Sequence, residues 1–394
     1  MRWGVRCLIG LGVHMRGAFL FLFFLKFGGW AQDAAVSAPA LAASATLSGY
    51  VSTGYRWGPS TGNFAYGLSG TTSRANAFSL DVVALSLHRP MENWLLDSGY
   101  RVDLWLGPDA SDLETGSTSN SAELRQAYLD LRFPLVNPLT AGETSSLDLR
   151  IGTFNSIVGF ESPDHNANAH YTRSWGYTIQ PTVHTGILAF FPGTGRPGVD
   201  PLYEWDSRYQ IALGVANTND PRINGTPANA NRKTLLAGLM WELPEALGPL
   251  GGSRFSLGYV NGRARTGSDP IQNLYLGLGL LPNSEKWNLS LTHDSRILPG
   301  AGNDDSVFGL YVGRTLSDDL TLSARAEIYQ EGAKLYSGES AAEQTDGQSL
   351  TLTLNYKIWE NVISRLEYRW DNTDEPVNGR HNNQGFHLNF IYEF

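Results

Sequence analysis

The sequence predicts an all-β fold: a transmembrane antiparallel β-barrel of about 16 strands, with short periplasmic turns and long extracellular loops. Three observations support this. Apolar and polar side chains alternate in many short segments, which is the period of a β-strand with two different faces. The charged residues of each segment mostly occupy the same set of alternate positions, and so lie on one face of the predicted strand. The chain also ends in an alternating aromatic segment whose last residue is Phe394.

The last eleven residues, 384–394, are the clearest predicted strand. Every second position is apolar or aromatic, and most positions between them are polar; the apolar set is Phe386, Leu388, Phe390, Tyr392 and Phe394. This ending resembles the closing strand of bacterial outer-membrane barrels, whose terminal aromatic residue is part of the signal read by the assembly machinery. We therefore expect two partners, the barrel-assembly machinery through Phe394 and the lipid of the outer membrane.

The N-terminal region has the parts of a secretory signal. Basic residues precede the apolar run 18–27, and small residues at 29–31 suit signal peptidase. We expect cleavage after Ala31, or alternatively within 40–45, and Met15 is a second candidate start. A transmembrane anchor is the alternative, but the apolar run is shorter than the roughly 20 residues that span a bilayer. The predicted domains are a signal peptide, 1–31, a short periplasmic segment, 32–44, and a single outer-membrane β-barrel domain, 45–394.

Composition excludes several kinds of site. The one cysteine, Cys7, lies in the predicted signal, so the mature chain has neither a disulfide nor a thiolate metal site. Removing 1–31 takes away four basic residues and no acid, which changes the formal charge from -9 to -13. An acidic chain argues against nucleic acid as a partner. The charge balance does not decide between cation and anion preference, because acids in surface loops count equally with acids in the lumen.

Alternation with a period of two predicts sixteen strands, and an even count places both chain ends on the same side of a bacterial barrel. The predicted ranges are 45–57, 76–88, 99–107, 122–133, 146–154, 183–191, 203–216, 233–243, 253–262, 271–281, 286–297, 306–316, 319–330, 349–359, 361–370 and 384–394.

Connection lengths also favour a barrel. Odd-numbered connections are mostly long and rich in Asn, Gly, Ser and Asp, whereas some even-numbered ones are very short, such as 317–318 and 360. A soluble β-sandwich, which is the alternative, has no reason to place its long loops at one end. No stretch of 18 apolar residues follows the predicted signal, so membrane-spanning helices are excluded. The longest apolar run, 274–281, is expected to face lipid or a neighbouring subunit.

Charge parity tests which face meets lipid, because Arg or Lys on the lipid face at the bilayer midplane costs about 2 to 4 kcal/mol. In most predicted strands with charges, the charged residues lie opposite the apolar ones. The strand 122–133 is an exception, since Glu123 and Arg125 share the apolar parity; we place them near its outer end, where the cost is small. The interior is therefore expected to hold both signs of charge and to be wet.

About sixteen strands enclose more space than side chains fill, so an aqueous channel is expected. The longest loop, 155–182, follows the fifth strand, the position from which general porins fold a constriction loop into the lumen. Its charged residues would then face arginines of the wall across a narrow neck, which orients polar solutes or selects ions. The candidate pore-lining and constriction residues are Arg101, Asp103, Arg132, Arg150, Glu161, Asp164, His165, His170 and Arg173. The alternative is that this loop covers the mouth and only protects the barrel.

Three stretches carry a closer likeness: GYRVDLWLGPDA, LRQAYLDLRFP and YTRSWGYTIQPTVHTGILAFF. They resemble the OmpL-like putative beta-barrel porin family, most specifically at 101–109 and 171–185. The resemblance implies an outer-membrane porin for passive diffusion of small hydrophilic solutes or ions. It carries over no binding residues, because the family has no agreed set.

Two other classes of function remain as alternatives. An outer-membrane hydrolase would need a nucleophile and base, but the histidines are scattered and neither GxSxG nor HExxH occurs. His293 and Asp294 point to opposite faces of one strand, and the spacing of Asp164, His165 and His170 matches no known metal site. We therefore predict no catalytic residue, no cofactor and no metal. The second alternative is a surface adhesin, receptor or structural barrel without an open pore. By analogy with porins of this size, we expect a homotrimer.

Overall fold

The computed structural model describes residues 45–58, 76–92, 96–112, 122–136, 144–191, 209–219, 232–263, 270–280, 284, 286–299, 304–330, 346–377 and 380–394. The predicted signal peptide and the predicted periplasmic segment, 1–31 and 32–44, lie outside these residues, as do parts of most long connections.

Within the described residues, sixteen antiparallel strands close into one barrel. Each strand pairs with its neighbours in sequence, and β1 pairs with β16. The strands are β1 Thr46–Trp57, β2 Ala77–Arg89, β3 Asp97–Leu106, β4 Ala122–Val136, β5 Thr144–Asn155, β6 Val183–Phe191, β7 Tyr209–Ala216, β8 Thr234–Glu242, β9 Arg254–Arg263, β10 Pro270–Leu280, β11 Trp287–Ile297, β12 Asp305–Ser317, β13 Leu320–Gln330, β14 Gly347–Trp359, β15 Val362–Val377 and β16 Arg380–Glu393. The predicted fold class and strand count are confirmed.

Among the described residues, three short helical segments lie in the connections. The first, α1, is Pro108–Asp112 after β3, and the second, α2, is Trp175–Thr178 between β5 and β6. A 3-10 segment, Glu245–Leu250, joins β8 to β9. Among the described residues, no helix is both long and apolar enough to cross a membrane.

The last hairpin differs from the prediction. We expected a long loop at 371–383, but β15 continues to Val377 and β16 begins at Arg380. Asp371 pairs with Asn383 in this extension, and Asn372 pairs with Asn382. The inward side chains of this extension, such as Asp371 and Asn383, are polar and buried, and a polar run without apolar alternation is typical of a loop.

A β-bulge in β4 corrects the placement of its two charged residues. Asp103 pairs with Gln126 and Leu104 pairs with Leu124, so Arg125 is an extra residue in β4. An extra residue reverses the parity of the strand beyond it. Glu123 and Arg125 are therefore buried inside the barrel, and our placement of them on the lipid-facing parity was wrong.

The outer face is apolar and exposed, as a surface against lipid requires. Large apolar side chains with high exposure lie around it, for example Phe78, Leu213, Leu235, Ile328 and Leu366.

The inner face divides into two parts. β1–β5, β11–β13 and β15 carry buried Arg, Asp or Glu inside the barrel. The inner face of β6–β10 instead carries apolar, small and uncharged polar residues, and Leu188, Leu236 and Val260 belong to one buried apolar cluster there. The expected mixed charge therefore describes one side of the interior and not the other, because the strands with clear charge parity all lie on the charged side.

Candidate pore constriction

The chain between β5 and β6, residues 156–182, forms a constriction loop with a closed neck. The Ser156 amide donates to the Thr182 carbonyl at 2.9 Å, and the last pair of the two strands is Asn155 with Val183. The Ser156 hydroxyl also lies 3.0 Å from His184 Nε2. The two ends of the loop are therefore fixed side by side at the ends of β5 and β6.

The constriction loop folds into the barrel and reaches strands of the opposite wall. His170 Nδ1 lies 2.7 Å from the Thr353 hydroxyl, in the middle of β14. His165 Nδ1 lies 2.9 Å from the Ser52 hydroxyl, in the middle of β1. Contacts at the middle of strands place the loop inside the lumen rather than over its mouth.

Arginines of β13 and β15 hold the backbone of the loop through its carbonyl groups. Arg325 Nη1 donates to the Thr172 carbonyl at 2.9 Å, and Arg369 Nη1 donates to the Arg173 carbonyl at 2.6 Å. Arg365 donates to two carbonyls, those of His165 at 2.9 Å and Asn168 at 2.6 Å. Hydrogen bonds from a charged donor are stronger than neutral ones, so this side of the loop is firmly held.

Glutamates of the same two strands accept hydrogen bonds from amides of the loop. Glu367 accepts from the Tyr171 amide at 2.7 Å and the Thr172 amide at 3.0 Å. Glu327 accepts from the Trp175 amide at 2.7 Å, and the Trp175 ring nitrogen donates to Asp371 at 3.1 Å. Buried Arg and Glu side chains of the wall thus satisfy both carbonyl and amide groups of the loop at 165–175.

The other side of the loop contacts β1–β4. Asp164 accepts from Arg125 Nη2 at 2.6 Å, and Arg125 also donates to Asp103 at 3.1 Å. The Tyr171 hydroxyl accepts from Arg56 Nη2 at 2.9 Å and donates to Asp81 at 2.9 Å. Because β1 pairs with β16, these strands continue the wall formed by β13–β15, and the loop is held along one continuous side of the lumen.

His165 lies between a serine and an aspartate, which is the order of groups in a hydrolase triad. Its Nδ1 faces Ser52, and its Nε2 lies 3.0 Å from Asp109 in α1. The Ser52 hydroxyl is fully buried and already accepts a hydrogen bond from Asn389 Nδ2 at 3.0 Å. A serine nucleophile must be reachable by a carbonyl substrate, so this arrangement joins the loop to β1 and α1 and does not form an active site.

Two groups of the loop, His170 and Glu161, have lowered pKa values for different reasons. Burial favours the neutral form of His170, and the nearby charge of Arg325 adds to this, which lowers its pKa from 6.5 to about 3. Burial alone would raise the pKa of Glu161. Its contacts with Arg325 and Arg173 and the hydrogen bond from the Ser174 amide outweigh burial, so the pKa lies below 4.5. At neutral pH His170 is uncharged and Glu161 is ionised.

The predicted wall residues form ion pairs within the wall. Arg101 contacts Asp103 at 2.9 Å, Arg132 contacts Asp148 at 2.8 Å, and Arg150 contacts Asp130 at 2.9 Å. The acids of the loop pair with other residues, Asp164 with Arg125 and Glu161 with Arg325. The structure thus brings the five predicted loop residues into the lumen but gives Glu161 and Asp164 partners that we did not predict.

Several residues that hold the loop were not among the predicted site residues. They are Arg56, Asp81, Arg125, Arg325, Glu327, Arg365, Glu367 and Arg369. One signal was present in the sequence, because Arg365, Glu367, Arg369 and Asp371 alternate along one face of β15. Four such charges in a row on the lumen face indicate that a partner lies opposite them.

The loop leaves a cavity of about 530 Å³ on the other side of the barrel. The cavity lies between the start of the loop, near Ile157 and Phe160, and the inner face of β7–β11. Among the described residues, no three metal-ligating side chains are grouped as a metal site.

A family model described as "Putative beta-barrel porin-2, OmpL-like" matches residues 44–394. No curated protein sequence is significantly similar to the chain.

Solved structures with the same fold are outer-membrane proteins. The outer membrane channel DcaP of Acinetobacter baumannii is 12% identical with a TM-score of 0.57, covering 89% of this chain and 97% of that one. The anion-selective porin from Comamonas acidovorans is 13% identical with a TM-score of 0.57, covering 89% and 99%. OmpT of Vibrio cholerae, in a trimer form, is 12% identical with a TM-score of 0.55, covering 89% and 99%. At such identities the likeness shows a shared barrel fold.

Proposed function

The chain belongs to the OmpL-like beta-barrel porin-2 family, and from that premise we propose that it is an outer-membrane porin. It forms a narrowed aqueous channel for passive diffusion of small hydrophilic solutes. One observation carries the proposal: the constriction loop is fixed inside the barrel along one side and leaves a cavity beside it. A loop that is held by the wall narrows a channel without closing it.

In this proposal the predicted site residues have two roles. Glu161, Asp164 and His165 fix the loop to the wall through Arg325, Arg125 and Ser52. His170 and Arg173 add further contacts of the loop, through the Thr353 hydroxyl and the Pro163 carbonyl. Arg101, Asp103, Arg132 and Arg150 line the inner wall as ion pairs and keep that side of the barrel rigid.

The proposal also assigns the partners. Lipid of the outer membrane contacts the exposed apolar face, and the barrel-assembly machinery reads the closing strand that ends at Phe394. A homotrimer is part of the proposal and is supported by the trimer form of the Vibrio cholerae OmpT structure.

Conductance of single channels in a planar lipid bilayer tests the function. The mature chain is purified in detergent, and its folding is verified by heat-modifiable mobility on a gel. We expect discrete steps of current from the folded barrel. A folded barrel without current steps would overturn the proposal in favour of a closed surface protein, and turnover of ester or lipid substrates would overturn it in favour of a hydrolase.

A further inference from the structure

We infer that solutes pass along the inner face of β7–β11 and that this passage favours uncharged solutes over ions of the same size. The inference rests on the proposed channel function and adds its route and its substrate class.

The route follows from where the loop is held. The contacts that fix residues 161–175 reach β1, β2, β4 and β12–β15, so this part of the loop occupies that side of the lumen. The first residues of the loop pack against the opposite side of the barrel. The Ile157 carbonyl oxygen approaches Gly258 in β9 so closely that a Cβ on that residue would lie 2.5 Å from it.

The end of the loop contacts β10 and β11, where Asn273 donates to the Ile179 carbonyl and the Gln180 side chain donates to Asp294. Beyond these contacts the cavity along β7–β11 extends from the neck of the loop to Ser284 and Trp287, near the ends of β10 and β11.

Small residues keep this passage open. Gly277 and Gly279, the glycines of the apolar run 274–281, lie on the face of β10 that lines the cavity, and the Leu276 side chain lies on the outer face. A Cβ at Gly277 would lie 2.2 Å from the Tyr275 hydroxyl, so a larger residue there would collide with that ring. A Cβ at Gly279 would have no atom closer than 3.9 Å, which shows open space beside it. We expected this run to face lipid or a neighbouring subunit, and that expectation now concerns its outer face, where Leu276 lies.

Charge is sparse along the route. Among the described residues that line the cavity, Glu161 and Arg254 are charged. Both oxygens of Glu161 are engaged, since Oε1 accepts from Arg325 at 2.6 Å and Oε2 accepts from the Ser174 amide at 2.7 Å. Arg254 is the first residue of β9, at the end of the barrel where the 3-10 segment joins β8 to β9. The middle of the passage therefore offers no charged side chain to an ion.

The chemistry of this lining separates neutral solutes from ions. An ion that loses part of its hydration shell in a narrow pore needs charges or many dipoles in its place. The passage instead offers apolar groups, including Ile157 and Met240, with hydrogen-bonding groups such as Gln210, Ser256 and Ser290. Such a surface can replace the few waters that an uncharged, hydroxyl-bearing solute gives up. Small sugars and polyols fit this description.

Three solutes of matched size test the preference: glucose, gluconate and glucosamine. We expect proteoliposomes with the full-length mature barrel to release glucose about tenfold faster than either ion, which corresponds to a barrier difference of about 1.4 kcal/mol. The membrane potential is held at zero with valinomycin and equal potassium. Equal rates, or a faster rate for either ion, would overturn the inference and leave the channel function intact. Retention of all three solutes, without current in potassium chloride, would overturn the channel itself.

Substitutions at Gly279 test the route, because that position has open space. We expect Gly279→Trp to reduce conductance at least severalfold, whereas Leu276→Trp, on the outer face of the same strand, leaves it unchanged. We expect Gly279→Asp and Gly279→Lys to shift the reversal potential in a potassium chloride gradient in opposite directions, toward cations and toward anions. Folding of each variant is checked by heat-modifiable mobility. Unchanged conductance and reversal potential in folded Gly279 variants would place the route elsewhere.

Discussion

Glu161 accepts a hydrogen bond from Arg325 at 2.6 Å, and this contact joins the constriction loop to the middle of β13 across 164 positions of sequence. Both side chains are buried, and Arg325 also contacts Glu327 at 3.1 Å. The same Glu161 accepts the Ser174 amide, which precedes α2. One carboxylate therefore fixes the wall contact and the internal fold of the loop together.

Replacement of Glu161 by Gln should release the loop. Loss of the only partner of a buried charge costs about 3 to 5 kcal/mol. Arg325 keeps its contact with Glu327, so we expect a cost below that range but large enough to weaken docking. Arg173 is buried in the folded loop, so trypsin cleaves after it only when the loop leaves the wall. We expect Glu161→Gln to increase the rate of this cleavage strongly, measured by mass spectrometry of the folded barrel.

The matched control for that experiment is Glu393→Gln. Glu393 also contacts the loop, through the Asn166 side chain at 2.8 Å, but this contact is exposed. Exposed pairs contribute about 1 kcal/mol or less, so its loss should change cleavage little. Equal sensitivity of the two variants would contradict a dominant role for the buried pair.

Acidification should also loosen the loop. In the docked loop the pKa of His170 is lowered from 6.5 to about 3. Below pH 6.5, His170 is therefore protonated in a released loop but still neutral in the docked loop, so acid favours release. Glu161, with its pKa lowered from 4.5, likewise contributes stability above that value and loses it as the pH falls further. Both groups act in the same direction, and docking is strongest near neutral pH.

Open-channel current noise between pH 7 and pH 4 measures this effect. We expect noise to rise as the pH falls and the loop samples released positions. In His170→Gln the part of the increase between about pH 6.5 and 4.5 should disappear, because the glutamine does not titrate. A pH profile that is the same in this variant would show that His170 does not control the loop.

The strands were predictable from sequence because the alternation that marks them can be read within each short segment. A strand with one lipid face and one lumen face repeats every two residues, and all sixteen predicted segments pair in the barrel. The bulge at Arg125 was not predictable, since an extra residue is visible only against the partner strand β3. The polar hairpin beyond Trp370 was not predictable either, because its inward side chains, such as Asp371, are polar and give the strand the composition of a loop.

The candidate site was predictable only in part. The length and position of residues 155–182 predicted a constriction loop, and the parity of β13 and β15 predicted charges in the lumen. The pairing of the two depends on the path of an irregular loop in three dimensions. Arg365, for example, donates to carbonyls of His165 and Asn168 that no side-chain pattern marks.

Replacement of Arg365 by Lys should weaken docking although the charge remains. The arginine donates to two carbonyls through two nitrogens, and a lysine ammonium does not reproduce that planar geometry. We expect faster hydrogen exchange in peptides that cover 160–175, measured by mass spectrometry. Arg314→Lys is the control, because Arg314 lies over the Trp287 ring on the exposed surface, away from the loop. Slower or unchanged exchange in Arg365→Lys would contradict the proposed anchoring role.

Replacement of Phe394 by Ala should separate assembly in the cell from stability of the finished barrel. The backbone of Phe394 closes the barrel by exchanging hydrogen bonds with Gly49, at 2.9 and 3.0 Å, and these bonds do not need the ring. The ring is half-exposed, so its loss removes little buried surface. We therefore expect Phe394→Ala to refold in detergent with normal heat-modifiable mobility while its amount in outer-membrane fractions falls several-fold. Tyr392→Ala, an exposed aromatic on the same face, is the matched control and should accumulate more than Phe394→Ala. If Phe394→Ala accumulated normally in the outer membrane, the ring would have no part in recognition by the assembly machinery, and the closing strand would act through its backbone alone.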